Sequence, residues 1–146
     1  MVTFDDYNIV VVTGDRHYSR YGVVRDTAVV LKEQFKRLII VHGAATGADT
    51  QIEIACKELK IPYHGYPAEW FTYRKAAGPK RNRTILDLYP KIRLVMAFHD
   101  YLANSKGTRD MIEEAMRRGI EVILYKKDGP IYLQQTDLLE LLNDPV

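Results

Sequence analysis

Four short apolar runs recur along this chain, the first three each followed by a turn and a stretch of helical periodicity. They are Ile9-Val10-Val11-Val12, Leu38-Ile39-Ile40-Val41, Ile92 to Phe98, and Ile120 to Tyr125. Continuous β-branched runs, without polar alternation, mark strands buried on both faces, as in parallel sheets. Between them, Val24, Ala28, Leu31 and Phe35 recur at helical spacing, and so do Ala48, Ile52, Ala55 and Leu59. The spacing also predicts a helix over Ala76 to Leu88, with Pro79 in its first turn, where proline is tolerated. A further helix carries Met111, Ile112, Ala115 and Met116 and stops at Gly119, a suitable residue just past a helix end. Ile61 to Tyr66 reads as a weaker strand, and Trp70 to Tyr73 lies in a less regular stretch.

Strands alternating with helices in this way imply an α/β fold. The expectation is a doubly wound, mainly parallel five-stranded sheet with helices on both faces. A C-terminal extension over 126–146 adds a short edge strand at Ile131-Tyr132-Leu133 and a short helix near Leu138 to Leu142. The 146 residues make one domain. At that size a chain buries roughly 68–70% of its unfolded surface, enough for a real core.

Three turns share a composition of glycine and small polar residues, and each follows a strand. They are Thr13-Gly14-Asp15-Arg16, the segment from His42 to Asp49 with Gly43 and Gly47, and Asn104-Ser105-Lys106-Gly107-Thr108-Arg109. A fourth segment, Ala77-Gly78-Pro79-Lys80-Arg81-Asn82, opens a helix. Glycine admits close backbone approach, and a helix N-terminus favours negative charge. In open α/β sheets ligands bind outside the carboxyl ends of the strands, where strand order reverses. The three turns meet on one edge if the first and fourth strands are neighbours.

The candidate phosphate contacts are Gly14, Arg16, Gly43, Gly47, Arg81, Asn82, Ser105, Lys106, Gly107 and Thr108. The run of Arg74, Lys75, Lys80, Arg81 and Arg83 is either a solvated helix face or part of an anion site. Asp15 and Asp49 lie where helices begin. Each is either a cap or a carboxylate aimed at a ribose hydroxyl or water. Trp70 either stacks on a base or covers the core. Of the four histidines, His17 and His42 fall in or beside strand-end turns and could face a ligand, although packing is the commoner role for each.

Several function classes are excluded. G-x-G-x-x-G is absent, as is the P-loop G-x-x-x-x-G-K-[ST], since Gly47 is followed by Ala48 and Asp49. Neither a Cys/His metal cluster nor a G-x-S-x-G elbow occurs, and no cofactor or metal is implied. The single cysteine, Cys56, permits no internal disulfide and reads as a small buried residue. The N-terminus lacks a basic, apolar leader, and no run of about 18 apolar residues is present. A cytoplasmic location is expected. The formal net charge of +2 and the absence of a broad aromatic platform argue against nucleic acid as partner.

Taken in order, Val12-Thr13-Gly14-Asp15-Arg16, His42 to Asp49, Ala68-Glu69-Trp70, Ala77 to Asn82 and Ser105 to Met111 resemble the YspA-like (cpYpsA-related) branch of the SLOG superfamily. That group includes the LOG phosphoribohydrolases and the DprA/Smf core. The resemblance spans roughly residues 8 to 125, leaving 126–146 outside it. It implies a Rossmann-like domain that binds a nucleotide or nucleotide-derived ligand, to sense or sequester it. In LOG enzymes a G-G-x-G-T-x-x-E segment holds phosphate and supplies a glutamate. Here Gly107 and Thr108 match its Gly-Thr, Met111 occupies the glutamate position, and Asn104 and Ser105 replace its glycines. A thioether neither stabilises an oxocarbenium-like centre nor activates water. Phosphoribohydrolase chemistry, the alternative function, then needs another carboxylate: Asp49, Glu69 or Asp15. Single-stranded DNA binding, by analogy with the DprA core, is the weaker alternative. Pairing of related enzymes through helices makes a homodimer a further expectation.

Overall fold

The first apolar run forms β1 (Asn8–Gly14), and Leu38–His42 forms β2. The remaining parallel strands are β3 (Tyr63–Gly65), β4 (Ile92–Phe98) and β5 (Val122–Lys126). The helices are α1 (Tyr21–Gln34), α2 (Ala48–Leu59), the single turn α3 (Trp70–Tyr73), α4 (Ala77–Leu88) and α5 (Lys106–Arg117). The computed structural model describes residues 6–134 and Asp137. The helix expected over 138–142 lies outside the described residues.

The sheet has six strands: the five expected and the C-terminal edge strand, which joins them. β6 (Gly129–Tyr132) pairs antiparallel with β5, with Leu124 opposite Ile131. The order is β3-β2-β1-β4-β5-β6. The chain winds outward from β1 to β3, then returns across the sheet to β4 on the other side of β1. The strand order therefore reverses between β1 and β4, which run parallel with Val11 opposite Val95 and Gly14 opposite Phe98.

Strand alternation divides the core. Val10 and Val12 point toward α1 and α2, packing with Val24, Ala28 and Ile52. Ile9 and Val11 point to the other face, against Ile85 of α4 and Ile112 and Ala115 of α5. Both faces of β1 are thus sealed, which explains its lack of polar alternation. Cys56 is fully buried among these residues, and burial pushes its thiol up to about 12, so it is an inert core group. Gly119 has φ +76 just beyond α5, as its position implied.

Candidate functional site

Because β1 and β4 are neighbours, the three strand-end turns converge. They wall a cleft of about 600 Å³ at the reversal point. Asp15 organises the junction through its backbone. Its N–H donates to the Phe98 carbonyl at the end of β4 (2.9 Å), and its carbonyl accepts from the Ala48 N–H at the start of α2 (3.1 Å). Two glycines make this approach possible. A Cβ at Gly14 would lie 2.5 Å from the Phe98 carbonyl oxygen and 2.7 Å from the Ala48 methyl. Gly47 has φ +70, and a Cβ there would overlap the carbonyls of Asp15 and Arg16. Gly14 lines the cleft, whereas Gly47 is spent on the contact between two turns. Outside this junction, Arg20 grips Asp100 through both guanidinium nitrogens (2.9 and 2.5 Å), tying the loop after β1 to the loop after β4.

The turn leading into α2 is held by a side chain from the first turn of that helix. Asp49 Oδ2 accepts the Ala45 N–H at 3.1 Å. Asp49 lies at the cleft wall but is only 4% exposed, and its Oδ1 is sealed from solvent without a hydrogen bond of good geometry. Burial pushes the carboxyl up from 3.8 to about 6, opposed by the Ala45 N–H, the Arg81 charge and the Gly43 N–H. The turn beneath it is strained: Ala44 has φ +55. The buried His42 fixes that turn by accepting the Ala44 N–H on Nδ1 (2.9 Å). His42 sits beneath the cleft and does not line it. Burial lowers its pKa, against the pull of Glu53, whose Oε1 lies 3.3 Å from Nε2.

The N-terminus of α5 is open by contrast. The Ser105 hydroxyl caps the helix, accepting the Thr108 N–H at 3.1 Å. The Lys106 and Gly107 N–H groups have no partner among the described residues. A Cβ at Gly107 would meet nothing within 4 Å. Ser105 and Thr108 therefore shape this end of the helix, and Lys106 and Gly107 present its free donors to the cleft. Met111, one turn on, is buried in the core. Glu114 faces Arg83, Arg117 and Arg118, away from the cleft.

Arg81 lies between these two helix ends. Its Nη1 donates to the carbonyls of Gly43 and Tyr66, and its Nε to Asn82 Oδ1 (2.9 Å). Asn82 in turn donates to the Gly107 carbonyl (3.2 Å) and to Asp110 (3.0 Å). Asn82 is buried and outside the lining. It couples Arg81 to the start of α5 and does not itself face the cleft. Burial lowers the Arg81 pKa, opposed by the charge of Asp49.

Trp70 lines the opposite rim, half exposed, with the Arg16 guanidinium 5.3 Å from its ring centre. Glu69 is exposed and outside the cleft, its carbonyl serving to start α3. Of the three candidate carboxylates, the fold thus brings Asp15 and Asp49 to the cleft and leaves Glu69 beside it. His99 also lines the cleft, its Nδ1 accepting the Tyr101 N–H at 3.1 Å, with its pKa lowered by burial. Its place directly after β4 was the signal that could have singled it out. Beyond Trp70 the surface continues as exposed Phe71 and Tyr73, paired with Arg74 (5.4 Å) and Lys80 (4.8 Å). This strip is a broader aromatic surface than the sequence suggested. No cluster of metal-binding side chains occurs among the described residues.

Residues 8–73 match the YspA, cpYpsA-related SLOG family, in agreement with the motif-based recognition; the α4 and α5 motifs lie beyond the matched segment. No curated protein sequence matches the chain. Among solved structures, the chain is similar to DNA processing protein A (DprA) from Streptococcus pneumoniae, with a TM-score of 0.64 and 22% identity. That alignment covers 83% of this chain and 51% of the other, so this chain spans about half the length of that relative. The likeness establishes a Rossmann-like fold. No helix among the described residues is long and apolar enough to cross a membrane.

Proposed function

We propose that this chain binds a nucleotide or nucleotide-derived ligand in the cleft at the β1/β4 reversal, as a sensor or a sequestering protein. One observation carries this reading. Two unbonded backbone N–H groups at the mouth of α5 open onto a cleft that Arg16, Arg81 and Lys106 also line. They suit a phosphate group, which a helix N-terminus attracts. Arg16 and Lys106 supply positive charge at the rim, and the free face of Arg81 supplies it at the floor. Trp70 offers a ring for a base. A thermal-shift panel of nucleotides tests the reading, since a ligand that binds only the folded state raises its stability. No shift with any nucleotide at millimolar concentration sinks it.

Asp49 also favours a second reading, hydrolysis of the N-glycosidic bond of a nucleoside 5′-monophosphate. A buried carboxyl with a raised pKa is the kind of group that can exchange a proton with water near neutrality. Release of free base from a nucleoside monophosphate, lost in Asp49→Asn, supports this reading. Normal release in that variant removes Asp49 from the chemistry.

The exposed strip of Phe71, Tyr73, Arg74 and Lys80 favours a third reading, single-stranded DNA binding. Stacking surfaces flanked by cations bind single strands with strong salt dependence. Titration of a labelled oligonucleotide at low and high salt decides it: binding that is absent at low salt ends this reading.

A further inference from the structure

We infer that His42 is a positioning residue for the floor of the cleft: its neutral ring holds the turn from Gly43 to Ala45 in shape, and protonation of the ring releases that turn. The inference concerns the shape of the cleft and stands apart from the identity of the ligand that fills it.

The ring holds the turn in one protonation state only. Nδ1 accepts the Ala44 N–H at 2.9 Å, so Nδ1 carries no proton and Nε2 carries the single one of the neutral ring. Nε2 is sealed from solvent and lies 3.3 Å from Glu53 Oε1 of α2. A second proton must go to Nδ1, where it would face the Ala44 N–H, donor against donor. The ring cannot turn aside. It stacks on Tyr63 of β3, with centroids 6.2 Å apart and planes 23° from parallel. It also fills the space beside Gly65, where a Cβ would lie 2.7 Å from the ring Cε1. The backbone is therefore what gives way. Ala44 holds φ +55, a left-handed conformation that an L-residue keeps only with support, and the bond to Nδ1 is that support.

The turn matters for what it carries. Gly43, Ala44 and Ala45 line the cleft. The Gly43 carbonyl holds Arg81 of α4, and the Ala45 N–H holds Asp49. Next to them the Thr46 hydroxyl donates to the Arg16 carbonyl at 3.1 Å. One proton on His42 thus reaches both the cation at the floor and the loop after β1.

The charges around the ring compete. Burial acts most strongly and lowers the pKa of His42 from 6.5, Glu53 of α2 raises it, and Arg81 of α4 lowers it further. Lys57 lies behind Glu53 at 3.7 Å. Asp49 is bonded to the same turn and takes up its own proton near pH 6, so the two titrations must be separated.

The test is NMR of the full chain from about pH 7.5 to about pH 4.5, on the wild type, Asp49→Asn, Glu53→Gln and His42→Asn. At neutral pH the imidazole nitrogens should report the tautomer protonated on Nε2. On acidification the Ala44 amide should shift with the same midpoint as the His42 ring, below 6.5. Its exchange protection should fall about tenfold or more, the weight of one backbone hydrogen bond. The transition should persist in Asp49→Asn. Glu53→Gln keeps a hydrogen-bond acceptor and removes the charge that favours protonation, so the His42 and Ala44 midpoints should move down together. In His42→Asn the side-chain oxygen stands in for Nδ1 and does not titrate, so Ala44 should stay protected across the range. If His42→Asn does not fold, the wild type and Glu53→Gln decide alone. An Ala44 amide indifferent to His42 protonation overturns the inference, as does a ring protonated on Nδ1 at neutral pH or one still neutral at about pH 4.5. A transition that vanishes in Asp49→Asn assigns it to Asp49 instead and also overturns the inference.

Discussion

The guanidinium of Arg81 lies where the side chain of residue 43 would be. A Cβ at Gly43 would collide with Nη1 and stand 2.6 Å from Cζ, and the same Nη1 donates to the Gly43 carbonyl. Glycine at this turn thus admits a half-buried cation from α4, an arrangement different from direct backbone contact with a ligand. Arg81 is not free to step aside, because Tyr66 and Asn82 also hold it. Gly43→Ala should therefore destabilise the fold by about 1–3 kcal/mol through displacement of Arg81. A double-mutant cycle with Arg81→Lys, followed by chemical denaturation, should show coupling of about 0.5–3 kcal/mol. Additive effects would mean that the two residues do not share this space.

The buried carboxyl of Asp49 makes stability depend on pH in a definite direction. In the fold its pKa is raised from 3.8 to about 6, chiefly by burial, with the Ala45 N–H, Arg81 of α4 and the Gly43 N–H opposing the rise. Between about pH 4 and pH 6 the folded chain retains a proton that the unfolded chain has released. The contribution is fully present below about pH 4 and is lost as pH rises through 6, totalling about 3 kcal/mol. Denaturation between about pH 4 and pH 6 should show the wild type losing about 3 kcal/mol of stability relative to Asp49→Asn, which does not titrate there. Parallel curves would show that Asp49 titrates normally.

The order of strands and helices was legible because burial on both faces forces uninterrupted apolar runs in β1, β2 and β4. β6 was less so, since a half-exposed edge strand of four residues carries little periodicity. For the site, the sequence located the turns but not the division of labour within them. Gly14, Gly43, Gly47 and Gly107 look alike in sequence. Only packing reveals that Gly14 and Gly47 let backbones touch, that Gly43 admits Arg81, and that Gly107 faces open space. Asn82 looked like a ligand contact because it follows Arg81 on a helix start. Its helical phase turns it inward instead, toward Asp110 and the Gly107 carbonyl. The aromatic strip at α3 was hidden because three rings in one short irregular segment read equally as core cover.

That division predicts opposite outcomes for two similar substitutions. Gly47→Ala forces a side chain into a left-handed conformation and into the backbone of Asp15 and Arg16. It should lose about 3 kcal/mol or more, read as a fall in Tm or in soluble yield. Gly107→Ala has no steric conflict and ordinary helical geometry. It should be neutral or gain up to about 1 kcal/mol. Gly107→Glu should fold equally well, since a carboxylate suits a helix N-terminus, yet should weaken nucleotide binding at least tenfold by filling the anion site. If Gly107→Glu binds nucleotides like the wild type, the phosphate does not sit at α5.

Trp70 is the single tryptophan of the chain, which makes its emission a direct report on the cleft. It is 47% exposed, lines the rim, and is covered on one side by Arg16. A base that stacks on the ring must displace or sandwich that guanidinium, so nucleotide binding should quench or shift the emission. Inorganic phosphate, which offers no ring to stack, should change it less than a nucleotide does. In Arg16→Ala the apo emission should shift, because the ring loses its cationic neighbour, an interaction on the order of 0.5–1 kcal/mol at an exposed site. The nucleotide response should persist in that variant with weaker affinity, since Arg16 also contributes charge near the phosphate. Binding detected by calorimetry without any change in Trp70 emission would place the base elsewhere in the cleft, with His99 as the next surface against which to look for it.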